Sequence, residues 1–488
     1  MDKAKQIYFY SAAIVLASIL YGVTVIAIKP FFFPLDDAYI ILHNAAVLLT
    51  GVDHNYIGTS ALYGTTSPVH LALTALFIKM GFSSPEIALL TLNWVYIVIY
   101  SIGICRLAIL YQLNFIQTAF CLFLTLYTGL IPYQLLNGLE TGLALGIITW
   151  TLVFLSEPLT DFRRVCILFL CATMPFIRPE LFFFSSLIII YLLTKQFELH
   201  NVLKYLGAIL LFASPWLAWM FTTTGAIYPL TIKAKSAFFA NALYSPAVFF
   251  HAIGIFINII SLPFTLLIVF LWTSSKMIGK IILGFMLIFL TVYLLTNPLL
   301  MTQNYDRYLY IFIPFLVFGC INGLRDSRTP VYITANMLLV FAFIFQIILS
   351  PQFITHVYIE NIYNERNQLL DIIKWCKKNI PSNATILIQD AGYIAYASHY
   401  KLVDIVGLKS PVSLYYHQLL TYPSDGKLRT EAISRIAHHT GGEYLILTPE
   451  WEKSFHITDD LKKLGWTIKL LYQGVGNNGY LIYKISDG

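Results

Sequence analysis

The chain has 488 residues, of which 58% are hydrophobic and only 11% are charged, and its mean hydropathy is +0.72. A water-soluble protein of this length does not need so much apolar surface, so the composition predicts an integral membrane protein with several helical spans. The formal net charge of +6 does not indicate nucleic-acid binding, because the basic residues lie mostly in short loops between apolar runs. The positive-inside rule accounts for that placement.

Apolar runs of about 20 residues, the length needed to cross a bilayer, predict about 11 transmembrane helices. They lie at about 8–28, 84–105, 114–134, 141–157, 163–178, 180–194, 202–222, 246–272, 278–296, 308–324 and 331–350. The first run follows Lys3 and Lys5 without a cleavage site and is predicted to stay as an anchor. Residues 69–80 form a shorter run, which predicts a re-entrant or juxtamembrane helix.

Charges in the loops predict the orientation. Arg or Lys occurs in the four loops 157–164, 195–204, 273–280 and 325–328. These loops lie on the same side of the membrane if residues 69–80 do not cross it. We therefore expect a cytoplasmic N-terminus, an outer first loop at 29–83, and a transmembrane module that ends near residue 350. Lys29, Lys233 and Lys235 fall on the outer side and count against this orientation.

Residues 351–488 differ in composition from the rest of the chain. Charged and polar residues are frequent, and β-like runs at 384–389, 443–447 and 480–484 alternate with helical stretches at 365–378 and 460–464. This pattern predicts a soluble α/β domain on the extracytoplasmic side. The six cysteines include no Cys-x-x-Cys and no nearby histidine at ligand spacing, so neither a disulfide framework nor a zinc site is predicted.

Polar clusters recur at the predicted outer ends of the spans. The first is Asp36-Asp37, two adjacent acids that follow the first span in a chain with few charges. The others are the turn at 64–70, Asn137-Gly138-Leu139-Glu140-Thr141, Arg178-Pro179-Glu180 and Asn304-Tyr305-Asp306-Arg307-Tyr308. Ionisable residues at membrane depth are costly and usually face a polar cavity, so clusters on one face predict a single extracytoplasmic site.

Each cluster also has a simpler interpretation. Asp36 could only cap the helix that follows it, and Glu140 could be an interfacial acid at a helix start. Arg178 and Glu180 flank a proline and could form a polar hairpin tip, while Asp306 and Arg307 could pair with each other. An arginine at an outer end runs against the positive-inside bias, which favours a role for it.

These groups suit displacement at the anomeric carbon of a sugar. A carboxylate can remove the proton of an acceptor hydroxyl, and Arg or Lys can stabilise a departing phosphate. Adjacent helical residues diverge by about 100°, so we expect one of Asp36 and Asp37 to do the chemistry and the other to orient it. Nucleotide sugars are absent outside the cytoplasm, so the activated donor is expected to arrive on a membrane lipid.

The motifs resemble those of the GT-C superfamily of lipid-linked glycosyltransferases, and more narrowly the branch that includes the mycobacterial terminal arabinofuranosyltransferase. The resemblance is carried by Leu35-Asp36-Asp37-Ala38-Tyr39-Ile40, Thr66-Ser67-Pro68, Gly138-Leu139-Glu140-Thr141, Arg178-Pro179-Glu180 and Arg307-Tyr308-Leu309. In the C-terminal domain it continues in Gln389-Asp390-Ala391-Gly392-Tyr393-Ile394-Ala395-Tyr396 and Val403-Asp404-Ile405-Val406-Gly407-Leu408.

The resemblance implies an inverting transfer from a polyprenyl-phosphate sugar to a hydroxyl of a glycan, lipid or protein, in a bacterial inner membrane. Asp36 would be the base and Asp37 its support, and Arg307 and Arg178 would face the donor phosphate. No cofactor is expected, and a divalent cation is not favoured. Further candidate substrate contacts are Tyr39, Thr66, His70, Glu140, Glu180, Lys233, Lys235, Asp306 and Tyr308, although His70 lacks metal-ligand spacing and suits a structural role.

Three alternatives stay open at this point. A transporter or flippase of lipid-linked sugars would show inverted repeats and charges at the midplane, whereas the charged clusters here lie at outer ends. An envelope polysaccharide polymerase or ligase also has many spans and outer arginines, but usually lacks a large soluble C-terminal domain. If the protein were a scaffold without activity, the location of the polar clusters on one side of the membrane would be a coincidence. The motifs do not identify the sugar.

Overall fold

The computed structural model describes residues 3–28, 31–127, 130–195, 198–240, 277–296, 307–325, 333, 337, 344, 359–474 and 479–487. The predicted span at 246–272 lies outside these residues, and so does most of the one at 331–350. The chain divides into two compact units. The first consists of Met1–Phe31, Leu89–Leu217 and Tyr244–Ile359, and the second of Phe32–Ala88, Ala218–Leu243 and Glu360–Gly488.

Helices dominate the described part of the chain before residue 326. In chain order they are α1 (Lys3–Ala27), α2 (Asp36–Thr50), α3 (Pro68–Lys79), α4 (Pro85–Leu110), α5 (Phe115–Tyr127), α6 (Ile131–Leu136), α7 (Thr141–Ser156), α8 (Asp161–Thr173), α9 (Leu181–Lys195), α10 (Leu199–Thr224), α11 (Leu230–Phe238), α12 (Met277–Thr296) and α13 (Ile313–Arg325). Short 3-10 turns at Met174–Phe176 and Tyr310–Phe312 adjoin α8 and α13.

Among the described residues, four segments are long and apolar enough to cross a membrane, namely Gln6–Ile26, Pro85–Leu110, Leu199–Thr224 and Met277–Thr296. Shorter apolar helices account for most of the other described runs that the sequence predicts as spans. The helix α3 has 12 residues, so it is about 18 Å long, against a hydrocarbon core of about 30 Å. The predicted helical membrane fold is confirmed.

The C-terminal part folds as the predicted α/β domain around a five-stranded sheet. Its strands are β1 (Thr385–Ile388), β2 (Lys401–Asp404), β3 (Tyr444–Leu447), β4 (Trp466–Gln473) and β5 (Leu481–Asp487), in the spatial order β2-β1-β3-β5-β4. The first three run parallel, with Ile386 paired to both Leu402 and Tyr444, and β5 pairs antiparallel with β3 and β4. The sequence did not predict β2 and β4.

Within the described part of this domain, six helices accompany the sheet. They are α14 (Glu360–Asn379), α15 (Tyr393–Ala397), α16 (Pro411–Tyr416), which continues as a π-helical turn to Thr421, α17 (Arg429–Thr440), α18 (Pro449–Phe455) and α19 (Ile457–Lys463). The core of the domain contains Leu387, Ile433 and Leu445. Phe238 of α11 is fully buried in the same core, so the segment that carries α11 is packed into the C-terminal domain.

Most of the first loop belongs to the same compact unit as the C-terminal domain. Pro34 and the extended Leu35 precede α2, which ends at Gly51 with a φ of +79°, a conformation that glycine adopts without strain. Ser67 caps α3 by accepting a hydrogen bond from the backbone N of His70, and Pro68 occupies the first helical position. These local signals fix where the two loop helices begin and end.

Candidate active site

Asp36 lies at the first helical position of α2, and the cap position belongs to Leu35. Its carboxylate does not bind the amides of its own helix. Instead, Oδ2 accepts a hydrogen bond from the backbone N of Gly392 and Oδ1 accepts one from the backbone N of Tyr393, both at 2.7 Å. The simpler interpretation of Asp36 as an N-cap is therefore wrong, because its oxygens bind the C-terminal domain.

Gly392 is required by the close approach of its segment to Asp36. A Cβ atom at this position would lie 2.1 Å from the backbone O of Asp36 and 2.7 Å from its Oδ2. Real Cβ atoms do not approach other atoms so closely, so any other residue would force the loop and the domain apart. The motif around Gly392 is thus shaped to receive Asp36.

Further carboxyl groups lie near Asp36. Asp390 accepts hydrogen bonds from Tyr480 Oη at 2.7 Å and from Gln389 Nε2 at 3.0 Å. Burial and the charge of Asp390 raise the pKa of Asp36 well above its usual range, although the two backbone amides lower it. Burial, and then the charge of Asp390, raise the pKa of Glu365 to about 8.

The charge of Asp37, the second acid of the pair, acts on Asp390. Burial raises the pKa of Asp390, and the charge of Asp37 raises it further, while the hydrogen bonds from Tyr480 and Gln389 oppose the shift. The carboxyls of the first loop and of the C-terminal domain thus influence one another's ionisation. Because burial and mutual repulsion disfavour several neighbouring charges, the cluster retains protons more strongly than isolated acids do.

Tyr39 is fully buried and lies in an aromatic cluster with Tyr393 and Tyr396. Its hydroxyl accepts a hydrogen bond from the backbone N of Phe33 at 3.1 Å, and its ring lies 4.8 Å from that of Tyr393 and 5.4 Å from that of Tyr396. This placement supports the start of α2. Its predicted role as a substrate contact stays a prediction.

A buried ion pair joins the first loop to the C-terminal domain at a second place. Lys409 is fully buried, and its Nζ donates to Asp53 Oδ2 at 3.0 Å and to Asn44 Oδ1 at 2.6 Å. His43 Nε2 contacts Asp53 Oδ1 at 3.1 Å. Although burial opposes ionisation, the hydrogen bond with His43 and the charge of Lys409 hold the pKa of Asp53 well below its usual range.

The sequence did not predict this ion pair. The sequence signal closest to it is the motif Val403–Leu408, which ends next to Lys409. Asp404 in that motif accepts hydrogen bonds from the backbone N of Val406 and of Lys409, both at 2.8 Å. The motif therefore forms the tight loop that presents Lys409 to Asp53.

The turn at 64–70 contacts α11. Thr66 Oγ1 lies 3.1 Å from Thr231 Oγ1, within hydrogen-bonding distance. Lys235 follows Thr231 by one helical turn and is half-buried, while Lys233 is exposed and lies 5.2 Å from the ring centre of Tyr228. The structure thus brings Thr66 together with the helix that carries both predicted lysines.

His70 lies within α3 and is fully buried. This placement agrees with the structural role that its spacing suggests. Within the described ranges, no group of three His, Cys, Asp or Glu side chains is arranged to hold a metal ion.

The predicted arginines lie in the other compact unit, in a cluster of their own. Arg178 is buried, its Nε lies 2.6 Å from Glu180 Oε1, and its Nη1 lies 3.5 Å from Glu140 Oε1. The guanidinium groups of Arg178 and Arg307 lie 4.9 and 5.1 Å from the ring centre of Tyr308. These five residues are buried together rather than exposed at hairpin tips.

Arg178 therefore pairs with two glutamates beside the ring of Tyr308, which Arg307 also contacts. Arg178 is engaged by both glutamates, so its charge is largely matched within the protein. Asp306, the remaining predicted member of this cluster, lies outside the described residues.

Comparisons with known proteins concern the fold and the C-terminal domain. Residues 359–483 match a family described as a domain of unknown function, DUF8728. No curated protein matches the chain.

Two solved structures match nearly the whole chain. ArnT from Cupriavidus metallidurans bound to undecaprenyl phosphate is 10% identical, covers 99% of this chain and 98% of its own, and has a TM-score of 0.59. Its apo state is 11% identical, covers 96% of each chain, and has a TM-score of 0.57. The predicted GT-C fold is thus confirmed, while the narrower arabinofuranosyltransferase branch stays a prediction.

Proposed function

We propose that the protein is a membrane glycosyltransferase that moves one sugar from a polyprenyl-phosphate donor to a hydroxyl acceptor. The observation that supports this most is the full-length similarity in fold to ArnT in a structure bound to undecaprenyl phosphate. The position of Asp36 and Asp37 at the start of α2, in the outer loop predicted to hold the catalytic acids, supports it further.

In the proposed reaction, the acceptor oxygen attacks the anomeric carbon and forms the new glycosidic bond. The bond between that carbon and the phosphate oxygen breaks, and the lipid phosphate leaves with the electron pair. The hydroxyl proton passes to Asp36, with Asp37 as its support. Because the attack and the departure occur on opposite faces, the anomeric configuration is inverted.

The raised pKa of Asp36 suits this role. Burial and the neighbouring Asp390 destabilise its charged form, so the ionised carboxylate is a stronger proton acceptor than an exposed aspartate. Its two hydrogen bonds occupy only part of its acceptor capacity, because a carboxylate offers about four lone-pair sites. Lone pairs on Asp36 therefore remain that can accept a hydrogen bond from a substrate hydroxyl.

The departing phosphate needs positive charge. As the motif resemblance implies, we assign this role to Arg307 and Arg178, which both lie beside the ring of Tyr308. Lys233 and Lys235 on α11 are further candidates, in the unit that contains Asp36. We propose that the reaction proceeds without a divalent cation and takes place on the extracytoplasmic side of a bacterial inner membrane.

The test measures transfer by the full-length protein in lipid nanodiscs, with a panel of polyprenyl-phosphate sugars as donors. Mass spectrometry of the co-purified lipid identifies the donor from its head group. Asp36→Asn should lower transfer by roughly 10²–10⁴-fold, with unchanged insertion and elution. Asp161→Asn removes an exposed acid at the start of α8 and serves as the matched control. Transfer by Asp36→Asn at the wild-type rate would refute the assignment of the base.

A further inference from the structure

The contacts of the C-terminal domain indicate its role in the proposed reaction. A soluble domain on the outer side of a glycosyltransferase suggests acceptor binding, in which case it would act at a distance from the reacting atoms. The contacts of Asp36 point to a different role, because both of its oxygens bind the backbone of this domain.

We infer that the C-terminal domain is part of the catalytic apparatus and holds the carboxylate of Asp36 in its working orientation through the backbone amides of Gly392 and Tyr393. Gly392 and Tyr393 are thus positioning residues for the base. This inference rests on the proposed function, because it concerns the group that takes the acceptor proton there.

The two amides fix both the position and the rotation of the carboxylate. Each oxygen has its own donor at 2.7 Å, and hydrogen bonds to a charged acceptor are the stronger ones. With both oxygens held, the carboxylate plane cannot turn about its bond to Cβ. The remaining lone pairs therefore point in fixed directions.

The peptide that supplies these amides is itself fixed by the first loop. Tyr56 Oη donates to the backbone O of Ala391, next to Gly392, at 3.0 Å. Asn55 Nδ2 donates to the backbone O of Ser398 and of Tyr400, both at 3.0 Å. The amides therefore belong to a segment that is tied to the loop on both sides of α15.

The surroundings of Asp36 also set its ionisation. The amides favour the charged form, whereas burial and the nearby acids oppose it. The titratable groups that face Asp36 are Asp37 next to it, Tyr56 of the first loop, and Glu365, Asp390, Tyr393 and Tyr480 of the C-terminal domain. Among the causes that act on the pKa of Asp36, the two amides are those that lower it. Arg366 is a cation whose charge acts on the neighbouring Tyr393.

Gly392→Ala in the full-length protein tests the inference, because the added Cβ would displace Asp36. We expect kcat to fall on the order of a hundredfold, as for misplaced catalytic groups, with little change in the KM for acceptor. The acid limb of the pH–rate profile should move upward by about one pH unit, because a carboxylate that loses amide donors is harder to ionise. Gly207→Ala, whose Cβ would meet no atom within 4 Å, is the matched control.

A second variant keeps the inference testable if Gly392→Ala does not fold. Tyr393 can be replaced by its α-hydroxy acid counterpart through nonsense suppression, which exchanges the backbone N–H for an oxygen and adds no bulk. The acid limb should again move upward and kcat should fall about tenfold. If either folded variant instead raised only the KM for acceptor, the domain would bind acceptor and the inference would be wrong. If the wild type transferred no lipid-linked sugar, the proposed function itself would fail.

Discussion

Removal of the charge on Lys409 should destabilise the unit that the first loop forms with the C-terminal domain. In Lys409→Met the side chain keeps its length, so most of its packing against Tyr56 and Gly64 is retained. Asp53 loses its cationic partner and stays buried with His43. Because the loss of one partner leaves a buried charge poorly compensated, the expected destabilisation is about 3–5 kcal/mol.

Thermal unfolding of the full-length protein in detergent, followed by tryptophan fluorescence, measures this effect. For a unit of this size, the free-energy loss corresponds to a fall in Tm of roughly 10 °C. Lys463→Met removes an exposed lysine that pairs with Asp460 and is the matched control, with little change expected. The double variant Asp53→Asn with Lys409→Met should lose less stability than Lys409→Met alone. A fall in Tm below about 2 °C for Lys409→Met would refute the reasoning.

Three more predictions concern a core residue, metal dependence and membrane orientation. Phe238→Ala removes the buried ring that packs α11 into the C-terminal core and should cost about 3–5 kcal/mol, seen as a lower Tm; an unchanged Tm would show that α11 is held elsewhere. Transfer activity should survive EDTA, and its loss with recovery on addition of Mg²⁺ would refute the proposal of a cation-independent reaction. A cysteine at Thr66 and one at Lys276 should react with impermeant reagents from opposite sides of the membrane, whereas labelling from the same side would overturn the predicted orientation.

The helical part of the fold could be predicted from the sequence because hydropathy and length are local properties. The predicted spans at 84–105, 202–222 and 278–296 correspond to α4, α10 and α12, whose ends lie within a few residues of the predictions. The strand β2 contains only two apolar residues, Leu402 and Val403, and β4 lacks a continuous apolar run, so neither carried a clear local signal.

The candidate site was only partly predictable, because local sequence patterns do not reveal contacts between distant segments. Asp36 and Asp37 are visible because acids are rare beside an apolar span. The partners of Asp36 are 356 and 357 residues away in the sequence, and Lys409 is 356 residues from Asp53. No pattern of spacing reveals such contacts, because only the folded chain brings these segments together. The GT-C resemblance picked out the motif around Gly392 without explaining why it is needed.

The stereochemistry of transfer by the wild-type protein tests the central claim most directly. The full-length protein in nanodiscs would receive the polyprenyl-phosphate sugar identified from its co-purified lipid, and the anomeric configuration of the product would be read by NMR. The proposed mechanism predicts transfer of one sugar, without added nucleotide, with inversion at the anomeric carbon. Retention of configuration, or transfer only from a nucleotide sugar, would contradict it.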